Sequence, residues 1–209
     1  MSIPKEIKNV IFDLGGVILN LDTDRTYHAF AAISGKNVND LKSNAAAADF
    51  FNEFERGAIS DSQFRNNICG FLEVQAPDEI IDEAWNAMLL DLPTSRLDLL
   101  KLVGKQFRTF LLSNTNGIHL RSFQLIESVS KQPIDTYFEM AYYSHLLNMR
   151  KPAQEIYRYV LQANQLEASE TLFLDDNLAN LQGASAIGIH TVHIQHPDMI
   201  FSLFNESTR

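Results

Sequence analysis

A single cysteine, Cys69, stands in the 209-residue chain, so no intramolecular disulfide can form. That suits a reducing compartment, and in its apolar helical context Cys69 reads as a small buried hydrophobe. Long hydrophobic runs are missing too: no stretch approaches the roughly 20 apolar residues that a membrane span needs. The residues ahead of Asn9 are polar and lack the apolar stretch and cleavage site of a signal peptide. A soluble, cytoplasmic protein is therefore expected. Basic residues are in deficit, 17 against 26 acidic, which leaves a net charge of −9. Such a surface repels phosphate backbones and anionic lipids, arguing against nucleic-acid and membrane partners while leaving local cations free to hold a small anionic substrate. Low-complexity tracts and internal repeats are absent, and 45% hydrophobic with 21% charged residues is a globular balance. The length allows one large domain, or one that carries a smaller insert.

Four short apolar runs are present, at residues 9–12, 109–112, 171–174 and 190–194. Their richness in Val, Ile, Phe and Leu predicts strands buried on both faces, as in parallel sheets. A fifth candidate, 137–142, is interrupted by Glu139. Helical patterns separate the later runs: 153–164, with Pro152 supplying its first position, and 180–187, closed by Gly188. Alternating strands and helices predict an α/β fold, a Rossmann-like doubly wound parallel sheet. More than 80 residues between the first and second strands break this rhythm. They carry helical patterns at 24–33, 45–54, 60–72 and 77–90, with Ser60 and Gln63 at capping-box spacing. Thr94 is expected to cap a last helix, 95–106. The expected organisation is a core of residues 1–19 and 93–209 carrying a helical insert at 20–92.

Ligands of open parallel sheets bind beyond the carboxyl ends of the strands. Here those ends are polar: Asp13-Leu14-Gly15-Gly16, Ser113-Asn114-Thr115-Asn116 and Asp175-Asp176-Asn177, with Arg150-Lys151-Pro152 between the last two. Each group also has a plainer role. Asp13 could cap a turn, Ser113 and Asn114 could cap the following helix, and Lys151 could be a surface lysine. Adjacent carboxylates at Asp175 and Asp176 repel each other, however, and a hard divalent cation with oxygen ligands offsets that repulsion. With Asp13 on a neighbouring strand end, the three acids form a candidate Mg²⁺ site. An aspartate, a hydroxyl, a lysine and an acidic pair around one point suit phosphoryl transfer to a carboxylate, with Lys151 and Ser113 on the phosphate oxygens.

Four segments now stand in order: VIFDLGGVI from Val10, TFLLSNTN from Thr109, MRKP from Met149 and TLFLDDNLAN from Thr171. Together they resemble the motifs of the haloacid dehalogenase (HAD) superfamily, and the helical insert resembles the superfamily's cap. The details are most similar to a phosphatase branch that includes bacterial α-D-glucose-1-phosphate phosphatases, down to the cap segment Glu55-Arg56-Gly57 with Ile59-Ser60. The resemblance implies a Mg²⁺-dependent phosphatase that hydrolyses a small phosphomonoester, a sugar phosphate favoured, in two steps. It makes Asp13 the nucleophile and places Ser113, Lys151 and the Asn114 backbone on the phosphate, with Gly15, Gly16, Thr115 and Asn116 nearby. Mg²⁺ is implied on Asp13, the Gly15 carbonyl and Asp176, with Asp175 close by or bound through water. Glu55 and Arg56 would face the substrate from the cap.

One position departs from the superfamily pattern. Where most of its phosphatases carry an acid two residues after the nucleophile, this chain has Gly15. General acid–base help is typically worth about 10²–10⁴-fold, so Glu55 and His119 become candidates for proton transfer. The same glycine argues against a phosphomutase. His190, His193 and His196 lack metal-ligand spacing and read as structural, and Trp85, Met88 and Leu89 read as core of the helical insert. Competing functions are a dehalogenase, which needs no metal, a receiver-type phosphoacceptor, whose motifs come in a different order, and a catalytically weak binding protein that keeps the site as a relic.

Overall fold

Alternation within each strand decides the architecture, because both faces of every central strand are apolar. Val10 and Phe12 point into one buried cluster and Ile11 into the other. Leu111 likewise opposes Phe110 and Leu112, and Leu172 with Leu174 opposes Phe173. A sheet apolar on both faces must be covered on both, which the connecting helices do. The computed structural model describes residues 3–126 and 132–205. Its five strands are β1 (Asn9–Phe12), β2 (Arg108–Ser113), β3 (Met140–Tyr143), β4 (Thr171–Asp175) and β5 (His190–His193), all parallel in the order β3-β2-β1-β4-β5. One face packs α6 (Thr94–Val103), α7 (Gly117–Leu125) and α11 (Met199–Asn205). The other packs α9 (Gln154–Asn164) and α10 (Leu178–Ser185). This is the expected doubly wound parallel sheet.

Five helices fill residues 20–92: α1 (Thr23–Ser34), α2 (Val38–Ala45), α3 (Phe50–Glu55), α4 (Asp61–Leu72) and α5 (Asp78–Asn86). They surround an apolar cluster of their own, which includes Phe30, Phe54, Phe64, Ile68 and Trp85. Ile118 of α7 inserts into that cluster, so the sheet unit and the helical unit share a packed contact. The chain enters and leaves the helical unit side by side. Asn20 N–H donates to Asp91 O, Leu90 N–H to Asn20 O, and the Asn20 amide to Asp91 Oδ1 at 2.9 Å. Buried Arg96 fixes this junction through Ile18 O and Asn20 Oδ1. Among the described residues no helix is long and apolar enough to cross a membrane.

Four local expectations are corrected. The fifth strand is Met140–Tyr143 rather than 137–142, because Ile134–Tyr137 after Pro133 close a 3₁₀ turn first. The pattern at 45–54 is two helices broken between Ala46 and Asp49. The alanines favour continued helix, but Phe50, Phe51 and Phe54 must turn onto Phe64 and Trp85, and that packing overrides propensity. Thr94 is the first residue of α6, with Pro93 at the cap position. Pro152 lies ahead of α9, which begins at Gln154 with Ala153 capping. The capping box of α4 forms as the spacing predicts, with Ser60 and Gln63 bonding reciprocally. His190 and His193 each donate through Nε2 to a backbone carbonyl, that of Ser169 and that of Asp176.

Candidate active site

Parallel register sets the site. Phe12 is level with Leu111 on one side and Leu174 on the other, so Asp13 and Asp175 leave the sheet at the same height, with Ser113 just beyond. Lys151 reaches this point from the loop between α8 (Ser144–Leu147) and α9. Its backbone is gripped by the Asn114 side chain, which accepts from Lys151 N–H at 2.9 Å and donates to Lys151 O at 3.0 Å. The ammonium then lies 2.8 Å from Asp13 Oδ1 and 2.7 Å from Asp175 Oδ2, and donates to Leu112 O at 2.9 Å. Three donors meet three acceptors, which is how a lysine only 1% exposed is tolerated. Burial alone would lower its pKa, but Asp13 and Asp175 outweigh that and hold it above the ordinary lysine value.

Asp175 is fully buried and held from several directions. Its Oδ1 accepts from Asn177 N–H at 2.7 Å, and the Asn180 amide reaches both oxygens at 3.1 Å. Asp176 is more open and lies against Gly16, whose φ of 71° and lack of Cβ are both needed: a methyl there would collide with the Asp176 carboxylate. Burial pushes the Asp13 carboxyl up to about 7, against the pull of Lys151 and with the added push of Asp175 and Asp176. Asp176 is raised by burial and by Asp175. Asp13, Asp175 and Asp176 each offer an oxygen, and all three atoms lie within 4.8 Å of one another. Three acids against one ammonium leave a surplus of negative charge. This oxygen-only donor set suits a hard divalent cation such as Mg²⁺.

A cavity of about 550 Å³ opens above these groups. Gly15, Ser113, Asn114, Lys151 and Asp176 line it from the sheet side, and Leu21, Trp85, Met88 and Leu89 from the helical side. Trp85, Met88 and Leu89, expected to be core only, thus also form cavity wall. Gly15 faces Leu21: a Cβ on Gly15 would run into Leu21 Cδ1, so an apolar side chain fills the space beside the position where the superfamily pattern has its acid.

The two candidates for proton transfer are both engaged. Glu55 lines the cavity but pairs with Arg150, Nη2 to Oε2 at 2.7 Å. His119 is 8% exposed and stacks on Trp85, ring centroids 4.6 Å apart. Its Nε2 lies 3.2 Å from Trp85 O, a carbonyl that can only accept, so Nε2 carries the proton. Its Nδ1 then accepts from the Asn116 amide at 3.2 Å. Burial lowers the ring's pKa to about 4, so near pH 7 His119 is not an imidazolium acid and its one N–H is held on Trp85 O.

Three expected substrate contacts do not line the cavity: Gly16, which lies against Asp176, and Arg56 and Asn116. Arg56 is exposed at the end of α3 and does not line the cavity. Asn116 is fully buried, and its Oδ1 accepts from His119 N–H at 3.0 Å and lies 3.4 Å from Trp85 Nε1. Asn116, rather than Ser113 or Asn114, is the residue that caps the following helix. Thr115 lines the cavity, with its N–H on Ser144 Oγ at 2.9 Å. Arg150 and Asn180 were not singled out from the sequence. Asn180 lies one turn into the helix after the acidic pair, and only the fold shows that it turns back onto Asp175.

The family model for haloacid dehalogenase-like hydrolase matches residues 7–188. The D-ribitol-5-phosphate phosphatase of Bacteroides thetaiotaomicron is 29% identical over 187 residues, 88% of this chain and 90% of that one. A HAD family enzyme of the same organism, solved as a magnesium and inorganic phosphate complex, superimposes with a TM-score of 0.81 at 34% identity, covering 90% of this chain and 93% of its own. A HAD-like hydrolase of Porphyromonas gingivalis gives 0.81 at 26% identity, over 90% and 91% of the two chains. Motifs, sheet order and these matches agree, and the chain belongs to the haloacid dehalogenase-like hydrolase family.

Proposed function

We propose that this protein is a cytoplasmic, Mg²⁺-dependent phosphatase acting on a small phosphorylated metabolite, with Asp13 as nucleophile. The observation that carries this reading is the buried Lys151 ammonium bridging Asp13 and Asp175, with Asp176 beside them under a cavity of substrate size. The phosphatase relative and the magnesium and phosphate complex named above support it. Asp13, Asp176 and the Gly15 carbonyl would hold Mg²⁺, with Asp175 close behind. Bound there, Mg²⁺ would offset the repulsion between Asp13 and a dianionic phosphate.

In the first half-reaction the Asp13 carboxylate attacks phosphorus while the bond to the leaving oxygen breaks, giving an aspartyl-phosphate. Lys151 keeps Asp13 in place and pulls it toward the charged form against the upward push of burial, and Asn114 keeps Lys151 in place. Ser113 meets the phosphate from the end of β2. The proton for the leaving oxygen comes from water admitted to the cavity, because Gly15 has no side chain and His119 is locked neutral. Water then attacks the aspartyl-phosphate and frees Asp13. The helical unit, residues 20–92, serves as a cap that closes the site.

Phosphate release from an aryl phosphate tests the reading, with wild type and Asp13→Asn each measured with Mg²⁺ and after chelation. Turnover only by wild type with Mg²⁺ is expected. Metal-independent turnover would overturn the Mg²⁺ requirement, no turnover by wild type would leave the dehalogenase alternative open to a halide-release assay, and equal rates for the two proteins would favour a binding role.

A further inference from the structure

Resting on the phosphatase reading, we propose that the Glu55–Arg150 pair determines which ester is accepted, by recognising a neutral polyhydroxy chain on the phosphate and rejecting a second anionic group. Glu55 comes from the last turn of α3 in the helical unit, and Arg150 directly precedes Lys151 in the sheet unit. Both line the cavity that holds Ser113 and Lys151, and each side chain is only about a quarter exposed, 28% and 27%. Arg150 donates from Nε to Glu55 Oε2 at 3.0 Å, and its Nη2 forms an ion pair with the same oxygen at 2.7 Å. Glu55 Oε1 accepts no hydrogen bond from any described residue, and Arg150 Nη1 donates none.

Glu55 thus keeps a spare acceptor and Arg150 a spare donor on side chains that line the cavity. Hydroxyls along a polyol chain satisfy both, one donating to the carboxylate and another accepting from the guanidinium. A carboxylate or second phosphate cannot donate, so it would face Glu55 as a like charge. Because the pair is internally neutralised, Arg150 offers such an anion little net attraction in return. The rest of the upper wall, Leu21, Trp85, Met88 and Leu89, is apolar and suits the C–H edges of a polyol chain. Arg56, the other residue expected to face the substrate from the helical insert, does not line the cavity.

The test compares kcat/KM on a pentitol 5-phosphate, 3-phosphoglycerate and p-nitrophenyl phosphate for wild type, Glu55→Gln and Arg150→Met, all with Mg²⁺. Wild type should prefer the pentitol phosphate to the phosphoglycerate by roughly tenfold or more, the scale of one charged hydrogen bond. Glu55→Gln keeps an acceptor but loses the charge, so the phosphoglycerate KM should fall and the preference should narrow. Arg150→Met should raise the pentitol phosphate KM and lower the ratio of its kcat/KM to that of the aryl ester by a similar factor. A preference unchanged in both variants overturns the inference, as does a loss shared equally by all three esters, which would mark the pair as structural. Wild type inactive on every ester overturns the phosphatase reading itself. Activity on the esters without discrimination sinks only the selectivity.

Discussion

Acidification of the Trp85–His119–Asn116 contact gives the most direct test of how the helical unit is held to the sheet unit. His119 is neutral in the fold, with Nε2–H on Trp85 O and Nδ1 accepting from Asn116. Protonation would put an N–H at Nδ1 against the Asn116 amide N–H. Asn116 cannot turn over to relieve this, because its Oδ1 serves His119 N–H and faces Trp85 Nε1. Burial lowers the ring's pKa from 6.5 to about 4, against the opposing pull of the Trp85 carbonyl. A group whose folded pKa is depressed binds fewer protons folded than unfolded, so stability is present in full above 6.5 and is lost as pH drops toward 4. The drop is worth about 3 kcal/mol in full, and about 2 kcal/mol at pH 5. Urea unfolding of wild type and His119→Gln, from pH 7.5 to 4.5, isolates this contribution in the difference between the two. Groups such as Asp13, whose burial-raised carboxyl gains stability on acidification, are common to both proteins and cancel. Wild type should lose about 2 kcal/mol more than the variant between pH 7.5 and 5. Parallel curves would refute the locked neutral tautomer.

Other outcomes follow from the same geometry. Lys151→Met leaves Asp13 and Asp175 buried without their cation and should cost about 3–5 kcal/mol of stability, together with turnover; a loss below about 1 kcal/mol in urea unfolding would show the triad to be weakly coupled. Gly15→Asp combined with Leu21→Ala clears the volume that Leu21 fills and supplies an acid beside the leaving oxygen. It should raise the turnover of alkyl relative to aryl phosphates by about tenfold or more, and an unchanged ratio would mean that leaving-group protonation does not limit the reaction. Mg²⁺ at about a hundredfold excess over its Kd should stabilise wild type by about 2.7 kcal/mol in thermal unfolding. Asp176→Asn should lose most of that gain, and an equal gain in both proteins would place the ion elsewhere.

Strand positions were legible because a sheet buried on both faces leaves a continuous apolar run, as at Val10-Ile11-Phe12 and Leu172-Phe173-Leu174. The edge strand β3 was less so: one side of it is open, its run is broken by Glu139, and the 3₁₀ turn ahead of it shifts its start. Breaks between helices depended on packing rather than propensity, as the split after Ala46 shows. Among the polar groups, Asp13, Lys151 and Asp175 announced themselves as charges at strand and loop ends. Asn116 and His119 stood out for other roles and Trp85 as core, because only their mutual distances turn them into a lock.

By itself the sequence determined the parallel sheet, the polar strand ends, the surplus of acids around one lysine and the glycine at position 15, since these depend on residue type and on spacing along the chain. Only the tertiary structure decided that Asn114 grips Lys151, that Leu21 fills the space beside Gly15, that Arg56 misses the cavity and that Arg150 meets Glu55 across it. Those contacts join residues 6 to 95 positions apart, and the direction of a side chain at such range is set by how whole elements pack, which no local pattern records.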